Sequence, residues 1–379
     1  MPERVLEIQA LTPQFWRDGR PFSAADGAET AAQSLPVPLP STVAGFIRTQ
    51  IGAAQKANWN DYETLKNLRG LPIYGPLLAR GEELMLPAPR DALIYRVGEE
   101  DKILRLQPFR FDQFKGGCDL PDGLMPLRVS EDVKPQSGYA FWRQGDMERW
   151  LLGETVLPEP MSGLLSEKRI HVAMDPAKGK AQEGQLFSVD YRVLEKVEEG
   201  AHIPFTLRAR AAIPEGHKPQ LLGFLGGESR PVAVRVREEL SRYWWDCHTS
   251  VQTAFAQLKP GSLIRMVLAT PALFADGWKP GWLKKAGELH LPRGLSRVKL
   301  RLVAAAIGRR EAVSGWSLGT NRPKPVRWMV PAGSVYFFEV EEGDPSAVLE
   351  SWLRPVSDNE QDRKDGFGLA LWGVGSYAD

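Results

Sequence analysis

Apolar and polar residues alternate along most of the second half of the chain. "EKRIHVAMD", "GQLFSVDYRVL", "HIPFTLRARAAI", "RPVAVRVREEL", "SLIRMVLATPALF", "RVKLRLVAAAIGR" and "SVYFFEVEE" repeat with a period near two or run continuously apolar, and they predict strands. Near the N-terminus "RVLEIQALTP" predicts another strand, Arg4 to Leu11. Asp18-Gly19 marks a turn, so Phe15 to Phe22 is expected to form a hairpin tip or a tight loop. Helical spacing is rarer. In "STVAGFIRTQIG", Val43, Phe46, Ile47 and Ile51 fall on one face and Arg48 lies off it. Ser41 is a good N-cap and Gly52 a good C-terminal stop. The preceding prolines, "SLPVPLP", predict an extended, stiff approach. Short helices are also expected near Asp146 to Leu152, in part of "EELSRYWWDCHTSVQTAFAQL" and in "DPSAVLESWLR". Strands with a minority of helices predict an α+β fold.

Residues 53–150 are broken by Pro or Gly every few positions and resemble an insertion. The chain of 379 residues is long enough for two domains. The expected division gives residues 1–160, carrying that insertion, and residues 161–379, ending in a glycine-rich segment.

Charge and cysteine content narrow the chemistry. The formal net charge of +1 lacks the large positive excess of a protein that coats nucleic acid without specificity, so any nucleic-acid binding must use a local patch. Cys118 and Cys247 are far apart, which argues against a structural zinc site and a disulfide framework and fits a reducing cytoplasm. No apolar run reaches the roughly 18 residues that span a bilayer, and the first residues have no signal-peptide layout. No membrane association and no cofactor are expected.

Several basic clusters sit beside features that favour phosphate. A helix N-terminus at Ser41-Thr42 offers backbone N–H groups and a partial positive charge, and Arg48, about two turns along, can reach a neighbouring phosphate. The alternative is a capped core helix. Arg17, Gly19 and Arg20 lie in a turn after the first strand, where they are either phosphate contacts or solvated loop residues. In "EKRIHVAMD", Lys168, Ile170, Val172 and Met174 take one side; Arg169, His171 and Ala173 take the other. The Arg–His face suits unpaired bases, or is simply the polar outer face of a sheet. In "NRPKPVRW", Arg322, Lys324 and Arg327 flank prolines beside a tryptophan, which suits a sugar–phosphate track or a solvated charge run. "WWDCHTS" places Asp246, Cys247 and His248 together. Sequence neighbours usually point apart, so core packing of Cys247 is the expected reading.

The strings "FWRDGRPF", "SLPVPLPSTVAGFIRTQIG", "EKRIHVAMDPAKGKAQEGQLFS", "LGGESRPVAV", "TPALFADGWKPGW", "GWSLGTNRPKPVRWMVPAGSVYFFE" and "GFGLALWGVG" run in order along nearly the whole chain. With them the sequence resembles the RAMP superfamily, and within it the crRNA 5′-handle-binding subunit of the CRISPR type III-B (Cmr) effector complex. The resemblance implies two ferredoxin-like (RRM-like) domains with loop insertions. It implies a non-catalytic, cytoplasmic RNA-binding subunit that caps the crRNA 5′ handle, between the large polymerase-like subunit and the adjacent RAMP backbone subunit. "GFGLALWGVG" resembles the RAMP glycine-rich loop, in which Gly366 and Gly368 would let the backbone approach RNA; a final strand with bulges is the alternative. A second reading is a RAMP endoribonuclease that processes repeat RNA. Such an enzyme wants a histidine soon after the first strand, and the first histidine here is His171. A third is the equivalent subunit of a type III-A complex.

Overall fold

The computed structural model describes residues 3–19, 31–110, 119–198, 201–213, 219–240, 246–284, 291–317 and 322–378. Arg20 lies outside them, as do the last three residues of the expected Phe15–Phe22 tip and part of the helix expected around residues 241–245.

The fold is α+β, built mostly of antiparallel sheet with few helices. The first sheet contains β1 (Glu3–Ala10), β3 (Ile73–Arg80), β4 (Glu83–Pro87) and the later strands Phe141–Arg143, Ala201–Ala212, Leu222–Leu225 and Arg230–Arg237. At its centre, Arg230–Arg237, β1, Ala201–Ala212 and β3 lie side by side, every neighbouring pair antiparallel. Numbered in chain order, these four stand 4-1-3-2. The second sheet, from Leu263–Leu268, Val298–Ala306, Val335–Gly343 and Ala370–Val374, has the same order.

Alternation explains how both faces of the first sheet become covered. Leu6 and Ile8 point to one side, where α1 (Pro40–Ala54) lays Val43, Ala44, Ile47 and Ile51 against them and against Leu207 and Ala209. Val5, Leu77, Ala79 and Leu84 point to the other side, into a core shared with Ile264, Met266, Phe338 and Trp372 of the second sheet. Burial of such side chains stabilises by about 1.5–3 kcal/mol each.

The structure corrects four expectations. Residues 53–150 are not simply an insertion: β3, β4 and Phe141–Arg143 are integral strands of the first sheet, and α2 (Tyr62–Gly70) packs its Leu68 into the α1 core. Within this segment, Asp91 forms a fully buried ion pair with Arg265 of the second sheet and accepts from Trp150 Nε1 at 2.9 Å. The expected boundary at residue 160 does not follow the sheets, because four strands after it (195–198, 201–212, 222–225, 230–237) belong to the first. Helix α1 begins at Pro40 with Leu39 as N-cap, so Ser41 sits inside the first turn and caps nothing. It also runs past Gly52 to Ala54, because Gly52 faces inward against Trp59 and Leu68 and so keeps α2 close. "DPSAVLESWLR" forms a 3-10 helix, Pro345–Ser351, with Asp344 accepting from the Ser346 amide at 2.9 Å.

Candidate nucleic-acid interface

The stiff lead-in to α1 is the point around which the expected basic clusters gather. Trp16 and Leu35 are joined by a backbone hydrogen bond of 2.8 Å, Asp18 N–H donates to the Gln33 carbonyl at 3.0 Å, and Arg17 bridges to Ser34. The Asp18-Gly19 turn therefore lies along the residues that enter the helix. Leu39 then packs against Leu273, Val313, Met329 and Phe367 of the chain's C-terminal part. Val313 and Met329 belong to a two-stranded ribbon in which Glu311–Val313 pairs with Arg327–Met329, extended by pairing of Trp316–Ser317 with Arg322–Pro323. Gly19 faces Ala312 of the same ribbon. Arg17, Gly19, Ser41, Thr42, Arg322, Lys324 and Arg327 thus share one seam between residues far apart in sequence.

At this seam α1 presents an N-terminus with no side-chain cap and no acidic residue in its first turn. Pro40 has no amide hydrogen and the Thr42 and Val43 amides donate to the Leu39 carbonyl at 3.0 and 3.3 Å, which leaves the Ser41 amide and the positive end of the dipole to favour an anion. Arg322 and Lys324 are exposed on the proline-stiffened ribbon. Arg327 is different: it makes a two-pronged ion pair with the buried carboxylate of Asp362, at 2.7 and 2.8 Å. That pair ties the ribbon to the turn before the last strand.

Arg48 is corrected most sharply. It is buried, and its guanidinium is fully engaged inside the protein. Nη1 pairs with Asp365 at 2.5 Å, and Nη2 donates to the Leu71 and Lys364 carbonyls at 2.7 and 2.9 Å. Lying off the apolar stripe did not make it a surface residue, because the second part of the chain closes over that flank of α1. Gly366 and Gly368 belong to the same closure. Both are buried with positive φ, and a Cβ on Gly366 would stand 2.6 Å from the Gly75 carbonyl oxygen of β3. These glycines let backbone approach backbone, where an approach to RNA was expected.

The stretch with Lys168, Arg169 and His171 forms an arm, a long hairpin of Leu165–Asp175 and Lys180–Val193 whose second strand also pairs with β2 (Ala31–Ala32). Its two faces are reversed from expectation. Arg169 and His171 point inward: His171 stacks on Phe187 at 5.4 Å, its Nε2 lies 3.1 Å from the Tyr191 hydroxyl, and Arg169 pairs with Glu167 and covers the Tyr191 ring. The outward face carries Lys168 with Ile170, Val172 and Met174; Ile170 is 78% exposed. Aromatic residues beneath the arm explain the reversal, since a guanidinium and an imidazole both stack well on rings.

Tyr191 is a residue that the periodicity did not single out. Its hydroxyl donates to Glu228 at 2.6 Å, and Arg230 donates to the same carboxylate oxygen at 2.6 Å. Burial pushes the Glu228 carboxyl up, but these hydrogen bonds outweigh it and hold the group below the usual range. Burial, then the Glu228 contact, push the Tyr191 phenol up. Glu228 and Ser229 have left-handed backbone (φ 58° and 49°), and a Cβ on Gly226 would stand 2.5 Å from the Phe15 carbonyl oxygen. The "LGGES" string is therefore a tight turn that clamps the arm base to the first sheet. Arg192 completes the clamp by donating to the Ser34 carbonyl at 2.8 Å and the Leu35 carbonyl at 3.2 Å. It also pairs with Asp190 at 3.3 Å, but no sequence signal marks the clamp, because the carbonyls it holds are 157 and 158 residues away.

The Cys247 reading as a packing residue fits its surroundings. Burial, with the nearby Glu148, pushes its thiol up to about 12, the opposite of what a nucleophile needs. His248 is exposed, with Nδ1 2.9 Å from Ser250 Oγ. Among the described residues no group of three or more His, Cys, Asp or Glu side chains is placed to hold a metal ion, and no helix is long and apolar enough to cross a membrane.

The model of a protein family described as CRISPR-associated protein (Cas_Cmr3) matches residues 6–375. No curated protein matches the chain. Among solved structures, the chain is similar to one in a cryo-EM structure of the type III-B Cmr-beta bound to cognate target RNA and AMPPnP. The identity there is 16%, over 88% of this chain and 86% of that one, with a TM-score of 0.48. It is also similar to a chain in the crystal structure of the Csm3–Csm4 subcomplex of the type III-A CRISPR-Cas interference complex. That match has 9% identity over 98% of this chain and 99% of the other, with a TM-score of 0.37.

Proposed function

This chain belongs to the Cmr3 family of CRISPR-associated proteins, and from that premise we propose that it is a non-catalytic RNA-binding subunit of a cytoplasmic type III-B interference complex. It caps the 5′ handle of crRNA and bridges the large polymerase-like subunit to the adjacent RAMP backbone subunit. The observation that carries this reading is the seam. The uncapped N-terminus of α1, the Arg17–Gly19 turn and the exposed Arg322 and Lys324 converge there from three distant stretches of sequence. Phosphate contacts of this kind position RNA without reading its bases.

We also infer that the chain contains two ferredoxin-like units. In support, both sheets have the strand order 4-1-3-2 with antiparallel neighbours. The first unit is drawn from residues 3–237, crossing the boundary expected from sequence, and the second from residues 263–374.

The test is purification of the chain with its partner subunits, followed by sequencing of the bound RNA. A common repeat-derived tag at the 5′ end is expected, with contacts to that tag lost when Arg322 and Lys324 are replaced. Bound RNAs of random 5′ sequence would overturn handle capping. The non-catalytic part is tested separately by incubating the isolated chain with repeat RNA, with and without divalent metal. Cleavage at one site, abolished by a point mutation in this chain, would overturn it.

A further inference from the structure

The first sheet ends in an uncovered strand. Leu222–Leu225 is its outermost member beside Arg230–Arg237, and among the described residues nothing pairs with its other side. The register decides which groups are left there. The Val234 amide donates to the Leu221 carbonyl at 2.8 Å, which makes these two a hydrogen-bonded pair. The pairing runs on without a shift, so Gly223 and Leu225 also turn their N–H and C=O groups toward Arg230–Arg237. Leu222 and Phe224 fall between them, and their N–H and C=O groups point outward. The side chains of the same two residues lie on the face away from α1. Gly223 takes the α1 face, where an added Cβ would collide with Gln50 and Phe46, and its neighbours take the opposite one. Leu222 is 62% and Phe224 67% exposed, next to Leu221 at 75%. Phe224 lies opposite Pro231, whose carbonyl accepts from the amide of the half-exposed Leu11. An apolar row thus leads from the edge into the sheet. None of these residues belongs to the seam assigned to RNA.

We propose that this edge pairs with an extended, apolar segment of a neighbouring protein subunit, which adds a strand to the first sheet. The open groups choose the occupant. Leu222 and Phe224 each offer a donor and an acceptor at the spacing of a strand, and an incoming strand meets all four. Its own alternate side chains then pack beside Leu222 and Phe224. A helix has already used its backbone groups internally and cannot answer them. A phosphate accepts but does not donate, so RNA lying here by its backbone would leave the two carbonyls unmet. A pair of copies of this chain joined edge to edge is too small. Leu221, Leu222 and Phe224, each about two-thirds exposed with roughly 200 Å² apiece, offer on the order of 400 Å². That is about half of the ~800 Å² per partner that a stable association needs. The edge is one strand of a larger contact, as a subunit held within an assembly makes.

This inference rests on the subunit reading above, and its test separates the two. Co-express the chain with its partner subunits, with Phe224 replaced by the photo-cross-linker benzoylphenylalanine, and irradiate the assembled complex. The expected link is to another protein subunit, at a segment with apolar residues at alternate positions. Leu222→Pro deletes one outward amide and leaves the bonds to Arg230–Arg237 in place. Leu222→Lys keeps that amide and puts a charge on the apolar face. Each should lower the link at least tenfold with the bound RNA unchanged. Leu222→Lys should also leave the melt of the isolated chain unchanged, so it serves if Leu222→Pro fails to fold. Hydrogen exchange reads the pairing itself. In the isolated chain the Gly223 and Leu225 amides should be slow and those of Leu222 and Phe224 fast; in the complex the latter two should slow at least tenfold. A link to RNA or to a second copy of this chain, no link in a complex that assembles, a link unchanged by both Leu222 variants, or no slowing of the two amides would overturn the added strand while leaving the subunit reading standing. A complex that does not assemble around this chain would overturn the subunit reading, and this one with it.

Discussion

Arg48 and Arg322 began as equivalent candidates, each a cation beside a proline-rich stretch, and the fold gives them opposite roles. Arg48 lies in a closed seam, its guanidinium paired with Asp365 and its neighbourhood sealed by Gly366. Arg322 stands exposed on the ribbon together with Lys324. The closed seam joins the two sheets, whereas the open ribbon presents charge to solvent. What separates them is whether a carboxylate from elsewhere in the chain arrives. Asp365 reaches Arg48, Asp362 reaches Arg327, and the ribbon cations further out face the solvent.

The largest effect is expected at the closed seam. Breaking a buried ion pair by removing one partner typically costs about 3–5 kcal/mol, so Arg48→Ala should lower the melting temperature by several degrees. Lowered RNA affinity with an unchanged melt would instead place Arg48 at the RNA and erase the contrast. On the open ribbon the outcome should be reversed. Replacing Arg322 and Lys324 together with alanine should weaken guide-RNA binding by the assembled complex roughly ten- to a hundredfold. The slope of log affinity against log salt should flatten by about 1.4, near 0.7 for each contact to a single strand. Thermal melting should not change. An unchanged salt slope would show that these residues do not touch phosphate.

Gly366→Ala tests the seam without touching charge. The added Cβ meets the β3 backbone at Ile73 and Gly75 and its residue must also adopt a positive φ, so a loss of about 1–3 kcal/mol is expected, read by denaturant unfolding. A neutral result would mean that the backbone there can open. At the arm base, the Glu228 carboxyl is held below 4.5, the ordinary glutamate value. A depressed carboxyl stabilises the fold fully above its unfolded pKa and loses that contribution as pH falls through the folded value. The protection of amides around Tyr191, taken relative to their intrinsic exchange rates, should therefore fall as the pH drops below that range, and Glu228→Gln should remove the dependence. The smallest effect belongs to the arm's outward lysine: Lys168→Ala should alter stability by no more than about 0.5 kcal/mol, and a larger loss in a chemical melt would mean that the arm face is packed within this chain.

Much of the fold was legible because strands write their burial into adjacent residues. "RVLEIQALTP" and the later alternating stretches each contain a strand, although some end early, as "SLIRMVLATPALF" does at Leu268, and α1 follows its apolar stripe. The misplaced ends have local causes. Pro40 is better than Ser41 at opening a helix because its fixed φ suits the first turn. Gly52 did not end the helix because a neighbouring helix needed room for Trp59 and Leu68. Segment 53–150 was misjudged since its strands are short and punctuated, and they gain their partners only from Ala201–Ala212 and from one another.

The sequence by itself determined the α+β class, most of the strands, the stiff entry to α1 and, through strings spread over nearly its full length, the family. Those features depend on local periodicity, on proline geometry and on ordered motifs, all of which can be read one segment at a time. Only the tertiary structure decided which cations face outward. Arg48, Arg169, His171 and Arg327 were given internal partners, Arg322 and Lys324 were left on the surface, and the stretches around Gly19, Thr42 and Lys324 were brought to one seam. The physical reason is that a charged side chain's role depends on the group that meets it, and here that group lies up to 317 residues away in the chain.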